Sequence, residues 1–476
     1  MKRRRLIVLA ITLPAILALL GLGYRLFGSY ALQTYLTKLQ AKGEKVTLSE
    51  LEATLTPSLP DSGVVLSNVI AALGTPPASA TNLNLMRFVA LGRAQVACKQ
   101  SVPPWGSSCD LAASRWAGLR NCITQKAVPL ADLRLAMKQP ALNHGPRTNF
   151  FLQTGLSYPT IQSAAGWLAC AAVADLHDRH DSEALANLQG LAGLANLYRE
   201  DYSLSIAMTR TAVAEIALDV TWEALQAAEW DNDQLLTLQK AWQSVDLLEG
   251  LERGFQGERF VGAESLKRWL AETKEESRQE ASFAQWSATA LSEILEKRIW
   301  LETVAPNDVR YGIAYWQGKV ELVRDLRANR SLKQVLAPWQ KLDDDLDKKT
   351  RLPFRFFYPI SLVSIPDQKR DLFQTLHVET ERRLAITAIA LNRYKRVHGR
   401  PPASLNRLVP EFLPSLPSDC MSGRPLCFQA NGNGTYTLYS VGNDGTDNGG
   451  DSSPAVAGGP LGLWEGRDAV WPLPAL

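Results

Sequence analysis

A chain of 476 residues is too long for one hydrophobic core and implies two or three domains. Its 46% hydrophobic and 21% charged residues exclude wholesale disorder. The net charge of +3 comes from Lys2, Arg3, Arg4, Arg5 and Arg25, which stand without an acid in the first 30 residues and leave about −2 for the remainder. A near-neutral body offers no basic field, which excludes nucleic acid as a partner.

After "MKRRR", Leu6 to Tyr24 has no ionisable side chain except the terminal phenol. That is about the 20 residues a helix needs to cross roughly 30 Å of hydrocarbon. The basic cluster should stay inside and send the rest across, so the expectation is a single-pass protein of a bacterial inner membrane with its bulk in the periplasm. A cleaved signal peptide is the rival, but no A-x-A site follows and Arg25 interrupts the exit. An oxidising compartment would let nearby cysteines pair. Cys98 and Cys109 flank a turn-rich loop, as do Cys420 and Cys427, which leaves Cys122 and Cys170 over. No C-x-x-C occurs, so a thioredoxin-like centre or zinc ribbon has no support.

Residues 1–27 read as stub and anchor, and 28–125 as a helical stalk with an irregular cysteine-containing region. Within the stalk, Gly43 supplies a helix stop, and Thr47 with Glu50 has the spacing of a capping box. Residues 126–350 form an α-helical domain. Ile161, Ala164, Ala165, Leu168, Ala172 and Leu176 recur near a 3.6 period, and Asp231 with Gln234 repeats the capping-box spacing. Successive long helices with short turns resemble a tetratricopeptide-like array, although no fixed repeat returns. Gly250, Gly254 and Gly257 form a stripe of small residues, read as a close helix contact with a ligand groove as the alternative. "HDRHD" at 177–181 is read as a solvated turn rather than a His177/His180 site. Residues 351–365, with three prolines, form a linker to the last region, 366–476. There a long helix ends at Gly399 before short strands in "PLCFQ", "TYTLYSV" and "AVWPL".

The last region resembles the globular end of the major pseudopilin of type II secretion systems. The matching parts, in order, are the long helix, Gly399-Arg-Pro-Pro402, Leu416-Pro417-Ser-Asp419 with Gly423, and Tyr439-Ser440-Val-Gly442-Asn-Asp444-Gly445. More broadly, the layout resembles membrane-anchored bacterial proteins with a helical middle and a pseudopilin-like tail. The chain lacks the processing glycine and the early glutamate of a prepilin, so the resemblance does not imply assembly as a pilin. The expected fold is therefore mainly α: an N-terminal transmembrane helix, an α-helical array and a small C-terminal α+β pseudopilin-like module.

Asp444, Asp447 and Asp451 share a glycine-rich loop, which is either a solvated turn or a site for a hard cation. The resemblance implies calcium, Ca2+, and adds Asp468 as the residue that closes the site. No histidine or cysteine stands in the loop to favour zinc. No familiar catalytic motif occurs, and no acid/base pair stands out. The reading is a membrane-anchored envelope scaffold or binding protein, associated with a secretion or pilus-like assembly and an envelope partner. The alternative is an envelope hydrolase whose site is assembled from distant residues of the helical domain.

Overall fold

The computed structural model describes residues 2–56, 62–77, 88–90, 93–94, 115–144, 156–227, 230–261, 264, 303–358, 361–362, 365, 368–432, 434–456 and 463–471. The protein is mainly helical, with a small three-stranded sheet at its C-terminal end. In chain order the helices are α1 (Lys2–Ala41), α2 (Leu48–Glu52), α3 (Ser62–Leu73), α4 (Arg115–Gln125), α5 (Ala127–Ala136) and α6 (Tyr158–Asp178). Next come α7 (Asp181–Ala195), α8 (Leu204–Ala227), α9 (Asn232–Gln243) and α10 (247–261). The last three are α11 (Ala305–Arg327), α12 (Leu332–Lys349) and α13 (Lys369–His398). The chain divides into two compact units. One holds Met1–Thr54, Phe255–Leu322 and Ala337–Asp367; the other holds Leu55–Gly254, Val323–Leu336 and Gln368–Leu476.

In the first unit the expected anchor has to be corrected. Among the described residues no helix is long and apolar enough to cross a membrane. α1 runs unbroken through Arg25 to Ala41, and the chain itself occupies part of its surface. A Cβ on Gly21 would lie 3.3 Å from Thr303, and the ring centroids of Tyr24 and Phe357 are 6.0 Å apart. Further along, Leu32, Tyr35, Leu36 and Leu39 pack with Ala305, Val309 and Ile313. The single-pass inner-membrane placement is therefore not supported. Buried charge in this unit is paired, as its desolvation requires. Arg259 meets Glu44 at 2.8 Å, and the Lys319 ammonium, fully buried, pairs with Asp343 and lies 3.7 Å over the Trp339 ring.

Local chemistry set many of the element boundaries correctly. Glu50 N–H donates to Thr47 Oγ1 while Glu50 Oε2 accepts from Thr47 N–H, and Asp231 with Gln234 forms the same reciprocal cap. α13 ends at Gly399, whose φ of 73° gives the left-handed C-cap. The glycine stripe serves packing: a Cβ on Gly254 would come within 2.9 Å of Leu204 Cα.

In the second unit one core runs from Leu66 to Trp471. It includes Trp167 and Leu168 of α6, Leu191 of α7, Val213 of α8, Trp242 of α9, Leu384 and Ile389 of α13, then Phe412, Leu438 and Trp471. The stretch 351–365, expected as a linker, lies within the Ala337–Asp367 segment of the first unit, and Gln368 opens the last segment of the second. The C-terminal segment is not a separate domain, however, because it completes the core of the 158–243 helices. Polar contacts fasten the join: Gln239 Nε2 donates to the Phe412 carbonyl at 2.8 Å, and Arg393 donates to Gln239 Oε1 at 2.9 Å. Besides a short β1–β2 ribbon (Phe88–Ala90, Arg93–Ala94), the strands are β3 (Cys427–Ala430), β4 (Tyr436–Ser440) and β5 (Ala469–Val470). These three form an antiparallel sheet in the order β3-β4-β5, with Phe428 opposite Leu438 and Ser440 opposite Ala469.

Candidate functional site

The four aspartates expected to hold calcium lie in one region, but each has its own hydrogen-bond partners. Asp468 is fully buried beside β5 and accepts backbone N–H bonds from Asn448 at 3.1 Å, Gly450 at 2.7 Å and Asp451 at 3.2 Å. Burial pushes its carboxyl above the usual range against the pull of those donors. Asp447 accepts from Tyr439 OH at 2.9 Å and Gly449 N–H at 3.0 Å. Asp444 accepts from Thr446 N–H, and Asp451 from Ser453 N–H. Asp468 thus acts as a clasp that gathers the loop's amides. Among the described residues no three His, Cys, Asp or Glu side chains are grouped to hold a metal ion. Asp419, from the motif that carried the resemblance, is a second clasp. Buried, it accepts from Met421 N–H, Ser440 OH and Val441 N–H and so ties the preceding turn to β4.

The cysteine expectations change as well. Cys420 and Cys427 are free thiols rather than a bridge. Burial pushes both up to about 11, and for Cys427 the charge of Asp447 adds to this. Cys122, expected to be left over, is disulfide-bonded, while Cys170 is a buried thiol outside any disulfide. The expected Cys98–Cys109 pairing lies outside the described residues. In the "HDRHD" turn, Arg179 takes the left-handed conformation, and Arg120 bonds Asp175 and Asp178 at 2.8 and 2.7 Å. The turn is a structured helix connection.

Two acids whose carboxyls are pushed up, one fully buried and one partly buried, escaped the sequence reading. Glu223 of α8 is fully buried with neither carboxyl oxygen hydrogen-bonded, and burial pushes it up to about 8. Glu381 of α13, which accepts from Trp464 Nε1–H at 2.6 Å, is also pushed up to about 8, first by burial and then by the charge of Asp219.

The second unit also contains a cavity of about 410 Å³ where the C-terminal ends of α5, α7 and α9 converge. Its lining includes Arg134 and Lys138 from the first end, Gly193 and Asn196 from the second, and Lys240 and Ser244 from the third. Gly193 permits this convergence: a Cβ there would lie 2.3 Å from the Met137 carbonyl oxygen. Each helix end contributes roughly half a negative charge, and basic side chains near such ends commonly offset it. Three ends therefore account for about half of the three positive charges, and the remainder makes the cavity cationic. Arg134 donates to Asn187 Oδ1 at 3.2 Å; none of the three cations has a carboxylate partner among the described residues. Among the described residues, no carboxylate, histidine or thiol lines the cavity.

Asn196 lines the cavity, and Ser244 fixes the orientation of its amide. Ser244 OH donates to the Ala241 carbonyl at 2.7 Å, so Ser244 Oγ must accept from Asn196 Nδ2, also at 2.7 Å. That assignment leaves Asn196 Oδ1 as a buried oxygen without a hydrogen-bond partner. No sequence motif could have revealed this group, because its members are spread over more than 100 residues on three helices. The legible signals were local, with basic residues in the last turns of α5 and α9. No known protein family, no curated protein and no solved structure matches this chain.

Proposed function

We propose that this chain is a binding or scaffold protein whose helical part, read as a tetratricopeptide-like array, holds a small anionic ligand in the cavity between α5, α7 and α9. The observation that carries this reading is the set of Arg134, Lys138 and Lys240 around one cavity, with no carboxylate among the described residues to neutralise them. A hydrolase fits less well. Among the described residues Thr237 and Ser244 are the lining hydroxyls, and neither has a lining carboxylate or histidine to act as its base. The C-terminal order of long helix, short turn, small antiparallel sheet and glycine-aspartate loop supports a docking role like that of pilus-like assembly components. Titrating inorganic phosphate into the full chain tests the binding reading. Saturable binding in wild type that disappears in the R134Q/K138Q/K240Q variant, at unchanged melting temperature, supports it; equal binding by both proteins refutes it.

A calcium ion at the C-terminal loop is a second reading, favoured by one observation: Asp447 and Asp451 belong to the loop whose amides the Asp468 carboxylate gathers. Binding would require Asp468 to release the amides of Asn448, Gly450 and Asp451. A higher melting temperature in millimolar calcium than in chelator supports this reading, and identical melting excludes it.

A further inference from the structure

We infer that the first unit docks on an anionic lipid surface, through the outer face of α1 and the basic-aromatic turn that follows α12. The helix lies on this surface and does not cross it. At about 3.6 residues per turn, Gly21, Gly28, Leu32, Tyr35 and Leu39 fall on one side of α1. That side is taken: a Cβ on Gly28 would lie 2.5 Å from Asn307, and Leu32, Tyr35 and Leu39 pack with Ala305, Val309 and Ile313 of α11. Ile16, Leu19, Leu20, Leu26, Phe27 and Tyr30 fall on the opposite side, and all are exposed, Phe27 at 66%. This apolar stripe is about 21 Å long. Beyond it Thr34, Thr37 and Lys38 continue the same side, so the apolar character stops at Tyr30 while the helix goes on.

A second segment of the same unit presents the same chemistry. Arg351, Leu352, Arg355, Phe356 and Phe357 are all exposed, Phe356 at 69%. Phe357 meets α1 at Tyr24, which stands between Leu20 and Phe27 on the helix surface, so the turn borders the stripe. Contiguous exposed apolar area of this kind marks a contact site. Charge decides which contact. α1 contains no acid, and the run from Lys348 to Tyr358 holds Lys348, Lys349, Arg351 and Arg355, again with no acid. A second copy seated on the same patch would set these cations against one another. Anionic headgroups pair with them instead, while the arginine stems and the Phe and Tyr rings enter the boundary between headgroups and acyl chains.

The test is flotation of the full chain with vesicles of phosphatidylcholine, either alone or with about one-third phosphatidylglycerol. The chain should float with the anionic vesicles, bind them at least about twentyfold more tightly than the neutral ones, and bind less as salt rises towards about 1 M. A carbonate wash should release it. R351Q/R355Q should weaken binding about twentyfold, and F27S and F356S about tenfold each. All four side chains are exposed, so the melting temperature should not change. Equal binding to neutral and anionic vesicles, or no loss in these variants, would overturn the inference. Retention after carbonate would overturn it too, because it would mean a helix that crosses the bilayer. A dimer that F27S and F356S dissolve, without flotation of the wild type, would assign the face to a second copy and refute the lipid contact.

Discussion

Replacing Glu223 by Gln should stabilise the protein at neutral pH, by an amount that changes with pH. The side chain is fully buried in α8, neither oxygen has a partner, and burial alone pushes its carboxyl from 4.5 up to about 8. Between those values the unfolded chain is ionised at this residue and the folded chain is protonated, so folding must take up a proton. The stability that the neutral side chain allows is fully present below about pH 4.5 and is lost as pH rises towards about 8. Each pH step costs about 1.4 kcal/mol, so the loss accumulates to about 3 kcal/mol by pH 7. Gln has nearly the same shape and no proton to take up. Urea melts of wild type and E223Q, followed by circular dichroism and tryptophan fluorescence, should differ by under about 1 kcal/mol near pH 5. The gap should widen to about 3 kcal/mol near pH 7 and level off above about pH 8. A difference that stays constant across this range would refute the reasoning, because it would show that E223Q acts through packing and not through ionisation.

Gly254→Ala should destabilise the second unit by about 1–3 kcal/mol in a urea melt, even though alanine is the better helix former by about 1 kcal/mol, because the new methyl meets Leu204 backbone that cannot yield. A more stable variant would show that α8 and α10 can part at no cost. Cys420 and Cys427, pushed up to about 11, should react with a disulfide reagent near pH 8 about a hundredfold more slowly than free cysteine. A peptide map that finds the two bridged under non-reducing conditions would contradict the free-thiol arrangement. Asp468→Asn should speed hydrogen exchange at the amides of Asn448, Gly450 and Asp451, and unchanged protection there would refute the clasp.

What the sequence revealed was mostly local. Reciprocal caps at Thr47/Glu50 and Asp231/Gln234, the Gly399 stop and the three C-terminal strands depend on residues a few positions apart, and these were legible. Hydropathy at Leu6–Tyr24 misled, because it was read apart from the rest of α1, which runs on through Arg25 to Ala41 and is not long and apolar enough to cross a membrane. The Asp468 clasp was half legible: sequence order brought the aspartates together, but not the fact that backbone amides would fill the coordination of the central one. Cys420 and Cys427 illustrate the same limit, since a short loop between two thiols says nothing of where β3 carries the second. The cavity was not legible, because Arg134, Asn196 and Lys240 become neighbours only when three helices end at the same place.

The second unit is assembled from three separate stretches of chain, and Trp471 closes its core against Trp222 at a ring separation of 5.3 Å. During synthesis this arrangement imposes a wait. When residue 254 leaves the ribosome, the face of α8 that will receive Leu384 and Trp471 is still uncovered. At about 5–20 residues per second, roughly 10–40 s pass before Trp471 arrives. For that interval the apolar helices resemble an unfinished domain and need a chaperone or rapid provisional packing. A stop codon just before Trp471 would be far more damaging than the number of residues lost suggests.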